Sequence, residues 1–306
     1  MPSTSRNSYS IRRLCLCFLA LILTPCSLLS SSAQSFGPGN PAWTTPIAPF
    51  KIADNLYYVG SKDLASYLVV TPAGDILINS SLESSPALIE KSIAQLGFRY
   101  SDVKILLISH AHFDHDAGSA AIIRSTHAKY MVMDADVPVV ESGGAKDFAY
   151  PNDHYPPAKV DRVLHDGDEV RLGNTILVAH KAPGHTRGCT TWTTHVNIGG
   201  KPQNVVIVGS WNVNEGFRLV DRPGHPASYP GIAADYQHTF AVLMGLPCDV
   251  FLGAHGLYFD MLAKLQRMKS GAGENVWIDP AGYKAAVAER EQAYLTELKR
   301  QQNTAR

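Results

Sequence analysis

Neither sign of charge is in excess along these 306 residues, where 27 basic side chains meet 27 acidic ones. A nucleic-acid-binding chain needs a concentrated basic face, so the balance argues against a polyanionic partner. Long apolar runs are also lacking. The best candidate, "LCLCFLALIL" over 14–23, is too short to cross a bilayer unbroken and is followed by Pro25. Cysteine is scarce: of five in the chain, Cys15, Cys17 and Cys26 fall in the first 26 residues. No short repeat appears, and no shift in composition marks a linker.

The first residues have a grammar of their own. Arg6, Arg12 and Arg13 precede the apolar run, and Ser31 and Ala33 supply a small-x-small pattern. That is the pattern of a secretory leader, expected over 1–33 with cleavage after Ala33. Its removal takes three arginines and no acid, which leaves a slightly acidic chain. Cys189 and Cys248 stay behind. An exported protein can pair such residues, but two cysteines do not fix a geometry, and two buried thiols fit as well.

Beyond the leader, strand and helix patterns alternate. Strands are expected over 51–60 and 65–81, the second interrupted by a Pro-Ala-Gly-Asp turn. A helix follows, with Ser85 as N-cap, Pro86 at its first position, and Ile89, Ile93 and Leu96 on one face. "VKILLIS" over 103–109 reads as a buried strand. A helix over 117–125, a strand over 128–133 and a short helix over 134–144 come next. Strand pairs then run to about Ser210. A helix, the strand "DVFLGAH" and a mostly helical C-terminus complete the chain. The elements fall in two similar halves, roughly 45–180 and 181–306. This predicts an α/β fold over 34–306, one domain with two sheets packed together and helices on the outer faces.

The segment "ISHAHFDHDAG" breaks the ordinary pattern. An apolar strand ends in His110, His112, Asp114 and His115. Burying these groups together without compensation is costly, while imidazole and carboxylate suit a zinc ion. Four ligands in six residues fit two adjacent ions better than one, because one loop cannot turn all of them to a single point. More ligands are offered where other strands give way to loops: His185 in "APGHT" and His255 in "LGAHG". The remaining histidines, His127, His154, His165, His180, His195, His225 and His238, are expected to be ordinary packing or surface residues.

"HAHFDH" with "PGHT" and "GAHG" resembles the metallo-β-lactamase superfamily, over nearly all of the chain after the leader. The resemblance implies an αββα sandwich, two mixed β-sheets with helices outside. The position between His185 and His255 narrows it. Glyoxalase II and lactonases of this superfamily usually carry a metal-bridging Asp at that strand end, and two lactamase subclasses carry a Cys. Here Gly209-Ser210 stands there. That pattern, with "PGHTRGCTTWT" and "CDVFLGAHGLYFDM", is similar to the third subclass of class B β-lactamases.

The resemblance implies a periplasmic hydrolase with two Zn²⁺ ions per chain. His110, His112 and His185 would hold the first, and Asp114, His115 and His255 the second. A metal-activated hydroxide, oriented by Asp114, would open the β-lactam ring of penicillins, cephalosporins or carbapenems, and so confer antibiotic resistance. Ser210, Asn212 and Asn214 would anchor the substrate, with Trp211 as a wall. The chain would act as a monomer on a small-molecule substrate, with no nucleic-acid partner and no membrane contact once the leader is gone. One departure stands out: members often place a Tyr where Phe217 lies. Two other readings are kept open, another dizinc hydrolase acting on a lactone or thioester, and a non-catalytic zinc-stabilised binding protein.

Overall fold

Short, largely buried strands open the first sheet. β1 (Phe50–Ala53), β2 (Leu56–Tyr58), β3 (Tyr67–Thr71) and β4 (Gly74–Ile78) pair in chain order, each antiparallel to the last. The expected turn joins β3 to β4, with Thr71 opposite Gly74. After β4 the connections lengthen. α1 (Pro86–Gln95) returns the chain to β5 (Val103–Leu107), α2 (Phe113–Asp116) and α3 (Ser119–Thr126) return it to β6 (Lys129–Met133), and α4 (Val137–Glu141) precedes β7 (Arg162–Leu164). From β4 to β7 the neighbours are parallel, as crossover connections require. A computed structural model describes residues 39–304 in this way, together with Met1 and Pro2. The rest of the leader expected over 1–33, with its cleavage site, lies outside the described residues.

The second sheet has five strands. β8 (Glu169–Leu172), β9 (Thr175–Lys181), β10 (Thr190–Ile198) and β11 (Lys201–Val208) are antiparallel in sequence. α5 (Ile232–Gly245) then crosses to β12 (Val250–Gly253), which lies parallel to β11. α6 (Met261–Arg267) and α7 (Pro280–Thr304) follow. Val205–Val208 and all of β12 are buried, so both faces of this edge of the sheet are covered.

One apolar core joins the sheets. Ile52, Tyr67, Ile76 and Leu107 of the first meet Leu177, Trp192 and Ile207 of the second, and Tyr236 of α5 and Val287 of α7 belong to the same cluster. A second cluster contains Leu68, Leu77 and Leu106 from the first sheet's other face with Ile89 and Ile93 of α1 and Ile122 of α3. The result is the expected αββα sandwich. Among the described residues no helix is long and apolar enough to cross a membrane.

Three details differ from the sequence expectation. The sheets divide between β7 and β8, near residue 165, because β8 pairs with β9, and β9 with β10, rather than with β7. Ser85 makes no side-chain cap to its helix; its hydroxyl accepts instead from the Leu82 N–H at 3.2 Å, closing the preceding turn. Asp114 and His115 stand on the one-turn helix α2 rather than in a loop, because the His112 carbonyl accepts from the N–H groups of both His115 and Asp116.

A buried hydroxyl ties the sheets together close to a strand end that matters below. Tyr67 on β3 donates to the Gly253 carbonyl at 2.7 Å and accepts from the Gly253 N–H at 3.3 Å. Tyr67→Phe is expected to cost about 1–2 kcal/mol in equilibrium denaturant unfolding, since two buried backbone groups lose a partner. An unchanged midpoint would show that Gly253 finds another one.

Candidate metal centre

The C-terminal ends of β5 and β12 and the turn between β9 and β10 carry the histidines and the acid singled out above, and the end of β11 carries Ser210. Asn79, just past β4, sets where β5 ends. Held at a positive φ of 66°, it accepts from Ser109 N–H at 2.7 Å and donates to the Ala65 carbonyl at 3.1 Å. The chain then leaves β5 through His110 and His112 and turns into α2. The β9–β10 turn is pressed inward at Gly184, with φ of 132°, where a side chain would collide with the Tyr236 ring. His185 follows at once. His255 emerges directly from β12, opposite Leu64 in an antiparallel bridge.

These elements bring the six expected ligands into one buried cluster, each at most 7% exposed. One ligand atom from each of His110, His112 and His185 lies within 4.8 Å of the others, and the same holds for His110, Asp114 and His115. His255 completes the second group: its Nε2 is 3.2 Å from His115 Nε2 and 3.5 Å from Asp114 Oδ2. Asp114 Oδ2 also lies 3.3 Å from His115 Nε2.

Outward partners fix which ring nitrogens face inward. His185 Nδ1 lies 2.9 Å from the Asn212 carbonyl, which can only accept, so Nδ1 donates and Nε2 keeps its lone pair for the interior. His255 Nδ1 likewise donates to Asp63 Oδ2, at 3.0 Å. His110 Nδ1 is 3.1 Å from the Ser109 hydroxyl. His112 Nε2 lies 3.3 Å from Asp147 Oδ2, though without hydrogen-bond geometry.

Electrostatics prepares these groups for a cation. Burial holds His110 well below the usual imidazole range and brings His112 down to about 4 and His185 to about 3, so all three are neutral at pH 7. Burial alone would raise the Asp114 carboxyl, but His115 and His255 hold it well below the ordinary carboxylate range. The neutral imidazoles of His110, His112 and His185 crowd together beside an ionised carboxylate, with lone pairs left to fill. A divalent cation satisfies them all, and the donor set of nitrogen and oxygen with no thiolate suits zinc.

Asp136, buried at the start of α4, underpins the site from behind. Its carboxylate accepts from Ala111 N–H at 3.0 Å, from the Thr186 hydroxyl at 2.8 Å and from Gly188 N–H at 2.8 Å. It therefore joins the His110–His112 segment to the His185 turn. Gly188 has no side chain for a reason: a Cβ there would overlap Asp136.

The residues expected to bind substrate are placed unevenly. Asn212 and Asn214 donate to tyrosine hydroxyls at 3.1 Å (Tyr258) and 2.8 Å (Tyr150). The Ser210 hydroxyl lies 3.2 Å from the same Tyr258 oxygen. Trp211 is only 2% exposed, with its ring against Phe251 and Tyr258. It packs in the core, which does not favour the expected wall. Phe217 is buried against His185, Phe148 and Tyr150. Cys189 and Cys248 are both free thiols.

Sequence reading missed Asp63, Asp136, Asp147, Tyr150 and Tyr258. Each is an isolated residue with no spacing signal, and its partner lies far along the chain: Asp63 is 192 positions from His255.

Comparison with known proteins agrees with this geometry. The family model of the metallo-beta-lactamase superfamily matches residues 64–255, more than half of the chain. The native FEZ-1 metallo-beta-lactamase from Legionella gormanii is 52% identical with a TM-score of 0.81, covering 84% of this chain and 98% of that one. BJP-1, a subclass B3 metallo-beta-lactamase of Bradyrhizobium japonicum, is 37% identical with a TM-score of 0.79, covering 87% and 99%. A curated relative, a UPF0173 metal-dependent hydrolase of Anaeromyxobacter sp., is 29% identical over 144 residues, or 47% of this chain. The match spans 48% of that relative, about half its length.

Proposed function

The chain belongs to the metallo-beta-lactamase superfamily, and from that premise we propose that it hydrolyses the β-lactam ring of penicillins, cephalosporins and carbapenems. The observation that carries this reading is the ligand set: two adjoining buried groups of three, with Ser210 where related hydrolases place a bridging acid. The likeness to subclass B3 enzymes supports it. His110, His112 and His185 would hold one zinc ion, and Asp114, His115 and His255 a second. Bound there, zinc supplies Lewis acidity and lowers the pKa of water to near neutrality.

The chain's own groups do the rest. Asp114 is ionised and buried, so its carboxylate accepts a hydrogen bond from the attacking water and orients it. His110, His185 and His255 are each oriented by a contact on the outer ring nitrogen, so little reorganisation of these rings accompanies the reaction. Asn212 and Asn214, with the hydroxyls of Tyr150 and Tyr258 they hold, offer polar groups for a substrate carboxylate. Phe217 has no hydroxyl and cannot donate to the lactam carbonyl. No nucleophilic side chain takes part, so no acyl-enzyme is formed.

The N-terminal leader supports export to the periplasm, where β-lactams act, and resistance as the outcome. We assign residues 34–306 to the exported domain, acting as a monomer.

Turnover of nitrocefin, a simple lactone and a thioester by the purified zinc-loaded protein tests the substrate class. Nitrocefin is expected to be preferred by at least tenfold in kcat/KM, and preference for the lactone or thioester would overturn the reading. Chelation tests the chemistry separately. EDTA is expected to abolish turnover while far-UV circular dichroism stays native, because the apolar core does not depend on the ions. Unfolding on chelation would instead indicate a structural metal site.

A further inference from the structure

We propose that Asp63 is a positioning residue for the second metal site, acting through His255, and that Trp43 holds its carboxylate in place. The inference rests on the two-ion reading above and concerns a residue outside the six ligands.

Asp63 lies in the connection between β2 and β3 and is 2% exposed. Every strong contact of its side chain serves the His255 segment or fixes the carboxylate against it. Oδ2 accepts from His255 Nδ1 at 3.0 Å and from the Trp43 indole N–H at 3.1 Å. Oδ1 accepts from Leu257 N–H at 3.1 Å. The backbone repeats the attachment: the Asp63 carbonyl accepts from Gly256 N–H at 2.7 Å, and Ala65 N–H donates to the Ala254 carbonyl at 2.9 Å.

The outer contacts of the other ligand histidines are different in kind. His110 meets a neutral hydroxyl and His185 a neutral carbonyl. His112 faces Asp147 without hydrogen-bond geometry. His255 is thus the one ligand histidine, among the described residues, whose outer nitrogen is hydrogen-bonded to a carboxylate. Such a partner fixes the imidazole tautomer and makes its inner nitrogen a stronger donor. The gain falls on the second ion, since His255 Nε2 faces Asp114 and His115.

Trp43 makes the arrangement rigid. It ends a short turn (Pro41–Trp43) whose Asn40 accepts from Ala42 N–H at 3.0 Å. That turn is fastened to the Asp63 loop, because the Ser61 hydroxyl donates to the Ala42 carbonyl at 3.1 Å and Lys62 N–H to the Thr45 carbonyl at 2.8 Å. The indole ring lies 5.9 Å from the His255 ring and 6.2 Å from that of Phe113. The indole therefore both shares Oδ2 and closes this flank of the site.

Zinc titration against a competing chromophoric chelator tests the proposal on the parent protein, Asp63→Asn and Trp43→Phe. In Asp63→Asn the weaker of two zinc affinities is expected to fall about 10–100-fold, with the stronger one unchanged. Trp43→Phe keeps the ring and loses the N–H, and is expected to weaken the same site by less. Equal weakening of both sites, no weakening of either, or a parent that binds a single zinc would overturn the proposal. Should Asp63→Asn fail to fold, an unchanged affinity in Trp43→Phe would overturn it alone. The readout is metal affinity, so a parent protein that binds two zincs but leaves β-lactams intact would refute the proposed activity and not this inference.

Discussion

Asp114→Ala is expected to lower kcat for nitrocefin about 10²–10³-fold, the range lost when one preorganised polar contact to the reacting groups is removed, and to release one of two zinc ions. Both effects follow from one carboxylate. Its Oδ2 lies 3.3 Å from His115 Nε2 and 3.5 Å from His255 Nε2, so it belongs to the second group of ligands. It is also the single acid among the six. Without it the second group keeps two imidazoles and no negative charge. Asp114→Asn separates the parts: it retains an oxygen ligand and loses the charge, so part of the zinc affinity returns while the charge that orients the attacking water does not. Metal content by atomic emission, set beside kcat, distinguishes the two contributions. A variant with both zincs lost would contradict the division of ligands, and one with normal turnover would remove Asp114 from the mechanism.

Asp136→Ala carries the second large effect, and it appears in stability before activity. The carboxylate satisfies Ala111 N–H, the Thr186 hydroxyl and Gly188 N–H, all buried. Removing it leaves three donors without an acceptor, at about 1–3 kcal/mol each before relaxation. A loss of about 3–5 kcal/mol in denaturant unfolding is expected. The His110–His112 segment and the His185 turn lose their common anchor, so the first zinc site is expected to weaken more than the second. Asp136→Asn retains one acceptor oxygen and is expected to fall between Ala and the parent. A stability change below about 1 kcal/mol would show that water replaces the carboxylate.

The legible part of the site is that in which chemistry and chain position coincide. His110, His112, Asp114 and His115 are neighbours in sequence, and an apolar strand just before them cannot use so many polar groups in a core. His185 and His255 were readable because each follows an apolar strand and sits beside glycine. The layers of the sandwich were readable for a similar reason, since apolar runs on either side of a Pro-Ala-Gly-Asp turn gave antiparallel strands and a fully apolar run gave β5. What stayed hidden depends on contacts between distant segments. Asp63, Asp136 and Asp147 are single acids in unremarkable surroundings, and only folding brings them to His255, to the two ligand loops and to His112. A four-residue helix such as α2 is too short to show a period, which is why Asp114 and His115 read as loop residues. Ser85 looked like a cap because its side chain suits one, yet its hydroxyl closes the turn before the helix instead. Trp211, read as a pocket wall beside Ser210, is buried against Phe251 and Tyr258.

The most direct test of the account is nitrocefin turnover by metal-free protein as zinc is added in measured equivalents. The account predicts no turnover without zinc, a rise that follows bound zinc, and saturation once both groups of ligands are filled. Full loading of both sites with no β-lactam hydrolysis would contradict it.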